Sequence, residues 1–444
     1  MLSFAALKEQ VGTGEIDTVV VAFTDMQGRL LGKRLHGEFF VEETEAEHPV
    51  EGCNYLLALE MEMDPVPGYE IASWEQGYGD FAVRPDLSTL RRIPWLEATA
   101  LVLGDVLWHD GAPVQPSPRQ VLRAQMERAA ALGYTPMMGS ELEFYLLKET
   151  YAEAHEQGYR ALTPSVPYIL DYHILGTTYD EPLLREIRNG MHAAGIRVET
   201  SKGEAWPGQQ EINFRFADAL TMADNHVVYK NGAKEIAFQH GCSISFMAKP
   251  FQDWIGNSCH IHSSLFRDGA AAFADDDRLF DRWLAGQIAC AEELALFFAP
   301  TVNSYKRYAA GSWAPTTLAW GHDNRTCGFR VVGHGKARRV ETRIPGGDVN
   351  PYLAFAAMIA AGLHGIEQEL EAPPALVGNA YESDTERFPS TLREAIAALE
   401  QGTMARAAFG DQVVDHYLNY GRTEQRLFDA FVTDWERARY YERG

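Results

Sequence analysis

The chain has 444 residues, with 39 Lys and Arg against 62 Asp and Glu, a formal net charge of −23, 46% hydrophobic and 23% charged residues. That length predicts two or more domains, and the composition is that of a folded globular protein with no disordered tract. The negative charge argues against nucleic acid or an anionic membrane surface as the main partner and favours cations.

The N-terminus, MLSFAALKEQVGTGEIDTVV, carries charge too early for a leader, and no apolar run approaches membrane-spanning length, so a cytoplasmic location is expected. The five cysteines are scattered without CxxC spacing, which indicates neither a disulfide framework nor a thiolate zinc site. EIDTVVVAFTDMQGRLLGKRL reads as β-branched strands broken by Gly28 and Gly32, the start of a small β-rich domain. GRLLGKR has one residue too few between its glycines for a P-loop and no Ser or Thr after Lys33, so it is not a Walker A motif. A Gly and Pro cluster near Gly111 marks a boundary, giving domains over 1–110 and 111–444. Beyond it, RQVLRAQMERAAALGY reads as a helix with Ser117 at the N-cap, Pro118 as first helical residue and Gly133 at its close. GDVNPYLAFAAMIAAGLHGIEQEL reads as a long buried helix, and the tail from Thr391 as helices with polar loops.

Between these helices lie segments with ionisable residues at alternate positions. Glu141 and Glu143 stand in GSELEF, Glu204 and Glu211 in GEAWPGQQEINF, His260 and His262 in GNSCHIHSS, and Glu341 in ARRVETR. A strand points every second side chain the same way, so each segment presents a charged face opposite an apolar one. Carboxylates with one or two imidazoles and no thiolate suit a hard divalent ion, Mg²⁺ or Mn²⁺. The competing reading is a buried ion-pair network, because Arg307, Arg325, Arg330, Arg339 and Arg343 share the same C-terminal stretch. Burial of that much charge for structure alone costs more than the pairing returns, whereas metals and a polyphosphate use both signs. GFRVVGHGKARR is a candidate basic phosphate-binding hairpin loop.

Taken together, ELEF, PGQQE, GNSCHIHSS, NSYKR, NRTCGFR and ARRVETRIPGGDVNPY, in that order, resemble the glutamine synthetase superfamily through nearly the whole chain. The resemblance implies an α+β fold: an N-terminal β-grasp domain, then a catalytic domain whose curved antiparallel sheet carries helices outside. It also implies a dodecamer of two stacked hexameric rings with active sites between neighbours. By the same resemblance Glu143, Glu204 and Glu211 hold the metal on the glutamate side, and Glu141, His260 and Glu341 the metal on the ATP phosphates. Arg307, Arg343 and Gly256 correspond to glutamate-binding positions. Arg325 and Arg330 correspond to those meeting the transferred phosphate, and Lys336, Arg339, His262 and Ser264 to nucleotide contacts. The implied reaction phosphorylates the γ-carboxylate of L-glutamate with ATP, and an amine then displaces phosphate.

Two departures bear on the amine. Ammonia-using members read PGYEAP after NSYKR, with a glutamate that binds ammonium; here the segment is YAAGSWAP, with Trp313 at that place. Where those members have a DGSS-type segment, this chain has EGCNYLL around Cys53, although Asp80 matches the family's other aspartate near the amine site. Tryptophan offers an apolar or cation-π wall to an alkylamine, so the chain resembles the γ-glutamyl-amine ligase branch, with an ethanolamine-like monoamine ranked ahead of a polyamine. An amine arrives protonated, and Asp80 and Glu204 are the candidate bases. The alternatives are an ordinary glutamine synthetase using ammonia and a catalytically silent structural or regulatory relative. No segment resembles the NLYDLP loop adenylylated in some bacterial enzymes, so no such control is expected.

Overall fold

The apolar run TVVVAFT forms strand β1 (Thr18–Thr24) of the computed structural model, which describes residues 1–444. It turns at Asp25, whose carboxylate accepts from the amides of Gln27 and Arg29, and at Gly28, where φ is +82°. The chain returns antiparallel as β2 (Leu30–His36). With β3 (Val50–Cys53), β4 (Asp80–Pro85), β5 (Arg91–Arg92) and β6 (Thr99–Leu107) these make a sheet of order β2-β1-β6-β4-β3, β5 pairing with β6. All nine residues of β6 are buried, as the run TALVLGDVL requires of a strand covered on both faces, and β6 lies parallel to β1. Two nine-residue helices, Phe4–Gly12 and Gly37–Glu45, accompany this sheet, where the sequence reading predicts strands and turns alone. Ser3 caps the first by accepting from the Ala6 amide.

The helix Pro118–Ala131 begins where its proline predicts, and Gly133 follows its end with φ +81°. Ser117 occupies the N-cap position, but its side chain makes no cap hydrogen bond.

The second sheet has ten strands. They are β7 (Thr135–Leu147), β8 (Val198–Gly203), β9 (Gln209–Phe214), β10 (Ala217–Asp218), β11 (Ser243–Ser245), β12 (Cys259–Arg267), β13 (Ala270–Ala271), β14 (Trp320–His322), β15 (Phe329–Val332) and β16 (Arg339–Thr342). Their order is β14-β15-β16-β12-β7-β9-β8, with β10 and β11 on β7 and β13 on β12. The expectation of an antiparallel sheet holds except at one edge, where β14 and β15 are parallel. A turn in which Asn324 accepts from the Thr326 amide and hydroxyl carries the chain back alongside β14.

The helix Pro351–Glu367 is buried along nearly all its length, as an apolar run of that composition demands. Its cap, Asn350, accepts from the Tyr352 amide and donates to the carbonyls of Asp25 and Met26 in the β1–β2 turn. Arg119 makes a second tie between the halves. Its guanidinium donates to Asp86 and Asp105 beside the first sheet and to Asp224 on the helix Ala219–Gln239, at 2.5 to 3.0 Å. One buried apolar cluster of 98 residues runs from Leu7 to Tyr420 and so joins both sheets in a common core. The tail from Leu392 is helical as predicted, and no helix is long and apolar enough to cross a membrane.

Candidate active site

The charged faces predicted from alternate residues meet across the second sheet. Strand register sets Glu141 opposite His260, Glu143 opposite Glu211, Glu341 opposite both His262 and Arg330, and Lys202 opposite Glu211. All of these side chains except His262 line a cavity of about 770 Å³ together with Glu204, Gly256, Arg307, Trp313, Arg325 and Arg343.

On one side, the His260 Nδ1 lies 3.6 Å from carboxylate oxygens of both Glu141 and Glu341. Arg330 and Arg343 donate to Glu341 at 2.8 and 2.6 Å, and His262 Nε2 sits 2.9 Å from Glu141. Burial pushes the Glu341 carboxyl up, but His260, Arg343, His262 and Arg330 outweigh it and bring it down to about 2. Partial burial opposes and the two histidines prevail at Glu141, held well below the usual carboxylate range. Arginines and histidines thus offset the carboxylate charge on this side.

The other side is short of positive charge. Burial and the neighbouring Glu204 push Glu143 up to about 7; burial and Glu211 do the same to Glu204, and burial and Glu141 to Glu211. Glu143 accepts from the Ser258 amide at 2.6 Å, and Asn213 donates to Glu211 at 2.9 Å. The His260 Nε2 is buried with no hydrogen-bond partner. Two groups of ligand atoms lie within 4.8 Å of one another: Glu141, His260 and Glu341, and Glu143, Glu211 and His260. Such an oxygen-rich set, with an orphaned imidazole nitrogen and carboxylates awaiting a cation, fits hard divalent ions. Glu204, the third predicted ligand on this side, is not in the second group, and its carboxylate pairs with Lys202.

Around these groups, Arg307 is buried and donates to the Ser258 hydroxyl and the Ile344 carbonyl, its Nε unpartnered. Gly256 lies so close that a Cβ would come within 2.4 Å of the Arg307 side chain. Arg325 is exposed at the cavity wall, and Arg330 also pairs with Asp323. Trp313, with φ +65°, is more than half exposed on the loop beyond Arg307. A smaller cavity of about 240 Å³ shares the Glu141 wall and is lined by His262, Ser264, Lys336 and Arg339, the predicted nucleotide group. Phe216, which is not among the predicted site residues, stacks on Phe266 there, with ring centroids 6.1 Å apart. Asp80 is not in either cavity: it is exposed at the start of β4 in the first sheet, so a single chain does not bring it to the cluster. Lys202 is likewise absent from the predicted site residues, although its place on β8 opposite Glu211 brings it into the cavity.

Residues 115–440 match the family profile described as glutamine synthetase, catalytic domain. The chain belongs to the glutamine synthetase family, and its fold is accordingly α+β. It is 55% identical over 446 residues to gamma-glutamylethanolamide synthetase GlnA4 of Streptomyces coelicolor, covering 100% of this chain and 96% of that protein. Glutamate–isopropylamine ligase of a Pseudomonas species is 38% identical, with 96% and 95% covered. The solved structure of a GmaS/ADP complex superposes with a TM-score of 0.85 at 28% identity, covering 98% of this chain and 99% of that one.

Proposed function

We propose that the chain is an ATP-dependent ligase that joins the γ-carboxylate of L-glutamate to a primary amine through a γ-glutamyl phosphate, releasing ADP and phosphate. The observation that carries this reading is one cavity in which buried carboxylates, His260 and four arginines converge while Trp313 stands where ammonia-using relatives carry their ammonium-binding glutamate. Enzymes of this family use ATP and divalent metals. The amine ligases among the relatives support the choice of acceptor.

When bound, divalent ions would be held by Glu143, Glu204 and Glu211 and by Glu141, His260 and Glu341, neutralising phosphate charge. The protein's own residues position the reactants. Arg307, Arg343 and the close approach at Gly256 hold glutamate. Arg325 and Arg330 take the charge of the phosphoryl group in transfer, and Lys336, Arg339, His262 and Ser264 hold the nucleotide, so that catalysis rests on orientation and electrostatics. An alkylammonium must lose a proton before it attacks. Asp80 and Glu204 are the candidate groups to accept it, Glu204 through the carboxylate oxygen that Lys202 leaves free. Asp80 reaches such a site from a neighbouring copy, in a dodecamer of two hexameric rings. The N-terminal sheet and its helices, 1–110, form the β-grasp unit and 111–444 the catalytic unit; the location is cytoplasmic, and Mg²⁺ or Mn²⁺ serves as the ion.

The deciding experiment is phosphate release from ATP with glutamate and Mg²⁺, comparing ammonium, ethanolamine, methylamine, putrescine and spermidine, with mass detection of the product. An alkylamine ahead of ammonium by about tenfold supports the reading. Ammonium ahead makes the enzyme an ordinary glutamine synthetase, and no turnover makes it a silent relative. In Trp313→Glu the ratio of kcat/KM for ammonium over ethanolamine is expected to rise by about tenfold or more.

A further inference from the structure

The amine end of the cavity carries a fixed positive charge that the reaction itself does not call for. Lys202 closes strand β8 in register with Glu211, and its ammonium pairs with Glu204. The same ammonium lies 4.7 Å from the centre of the Tyr172 ring. A strap of chain fixes that ring in place. The Asp171 and Tyr172 amides donate to the carbonyls of Glu204 and Gly203 at 2.9 and 3.3 Å, and Leu170 is fully buried beneath them. At Gly203 a Cβ would come within 2.4 Å of Leu170, so the strap sits directly on the strand backbone. Tyr172 has φ +61° and is exposed.

A carboxylate beside an aromatic face is the arrangement that receives an alkylammonium group. Here that arrangement is already filled, from within, by a lysine. The rest of this wall, Ile174, Thr177, Ala205, Ser312 and Trp313, is uncharged, and its one further acid, Asp171, is exposed to solvent.

We propose that Lys202 is a specificity-determining residue that restricts the acceptor to amines whose tail carries no second positive charge, short alkylamines and amino alcohols, and excludes diamines and polyamines. It does so by holding a fixed positive charge against the Tyr172 face of this wall, where that charge repels a second ammonium on the acceptor's tail. The inference rests on the ligase reading above and narrows its substrate class.

The test compares 4-aminobutan-1-ol with putrescine, which have the same chain length and differ in a terminal hydroxyl or ammonium. In the wild-type enzyme kcat/KM is expected to favour the amino alcohol by about tenfold or more. Lys202→Met is expected to narrow that ratio by about tenfold whatever its absolute rate, with Lys202→Gln as the second variant if Lys202→Met does not fold. Lys202→Arg, which keeps the charge, is expected to retain the wild-type ratio. Equal use of both acceptors by the wild type, or an unchanged ratio in the uncharged variants, overturns the proposal. Failure of the ligase reading is distinguishable, because the wild type would then give no γ-glutamyl product from any acceptor, ethanolamine included.

Discussion

Glu341 is 1% exposed, and its two oxygens are shared between Arg330 and Arg343, with His260 alongside. Removing its charge leaves the buried Arg343 guanidinium without its counter-ion and Arg330 with the exposed Asp323 alone. Glu341→Gln is therefore expected to cost about 3–5 kcal/mol, read from denaturant midpoints, as well as the ATP-dependent activity. Glu143, Glu204 and Glu211 have the opposite problem. Raised to about 7, they hold protons in the folded protein through a range where free carboxylates are ionised, and a divalent ion must displace those protons. The sign follows: ion binding tightens as pH rises toward and through 7 and then levels off. Calorimetry in two buffers of different ionisation enthalpy is expected to show proton release on Mg²⁺ or Mn²⁺ binding near pH 6.5 and almost none near pH 9. Glu141, Glu143, His260 and Glu341 were legible as a constellation because strand periodicity leaves no freedom in which face a residue joins. Glu204 and Lys202 were harder, because their pairing occurs where β8 ends and the strap over 170–172 crosses it, a meeting of segments that spacing does not encode. The exposed position of Asp80 depends on how the whole first sheet is oriented, which no local pattern reports.

The helices Asp277–Ala289 and Pro351–Glu367 pack at glycines. A Cβ on Gly286 would meet the Ala361 carbonyl at 2.1 Å, one on Gly365 the Arg282 carbonyl at 2.1 Å, and one on Gly362 the Trp283 ring at 2.2 Å. Gly365→Ala removes a residue of poor helix propensity yet is expected to lower stability by about 1–3 kcal/mol, because backbone atoms rather than a flexible side chain obstruct it. A fall in Tm with activity retained at low temperature is the expected signature. The longer helix could be read from sequence because its apolar residues face every direction and Asn350-Pro351 marks its start. Phe4–Gly12 could not, since it is only nine residues long, is followed at once by a β-branched strand and buries Leu7 alone. The parallel pairing of β14 and β15 escaped for a related reason: strands of three and four residues carry too little pattern to declare a direction.

The two sheets share one core, and Arg119 is a buried polar tie between the halves, surrounded by Asp86, Asp105 and Asp224 with Tyr352 donating to Asp224 at 2.6 Å. Arg119→Met leaves Asp86 and Asp105 to Arg123 but takes the only ion-pair partner from the buried Asp224, and is expected to destabilise the chain by about 3–5 kcal/mol. Because the loss falls between the halves, limited proteolysis of the variant is expected to cut in the connection just after β6. The Gly and Pro cluster near Gly111 marks the expected domain boundary, and the continuity of one apolar cluster from Leu7 to Tyr420 is a property of tertiary packing that composition cannot reveal. Strand β7, finally, has a bearing on time as well as place. It pairs with β9, β10, β11 and β12, and the last ligand, Glu341, arrives on β16 from far downstream. Closing loops of that length is slow, so the catalytic pocket is among the last features a newly made chain acquires, and until then its acidic strands remain exposed edges that mutual repulsion keeps from sticking to other nascent chains.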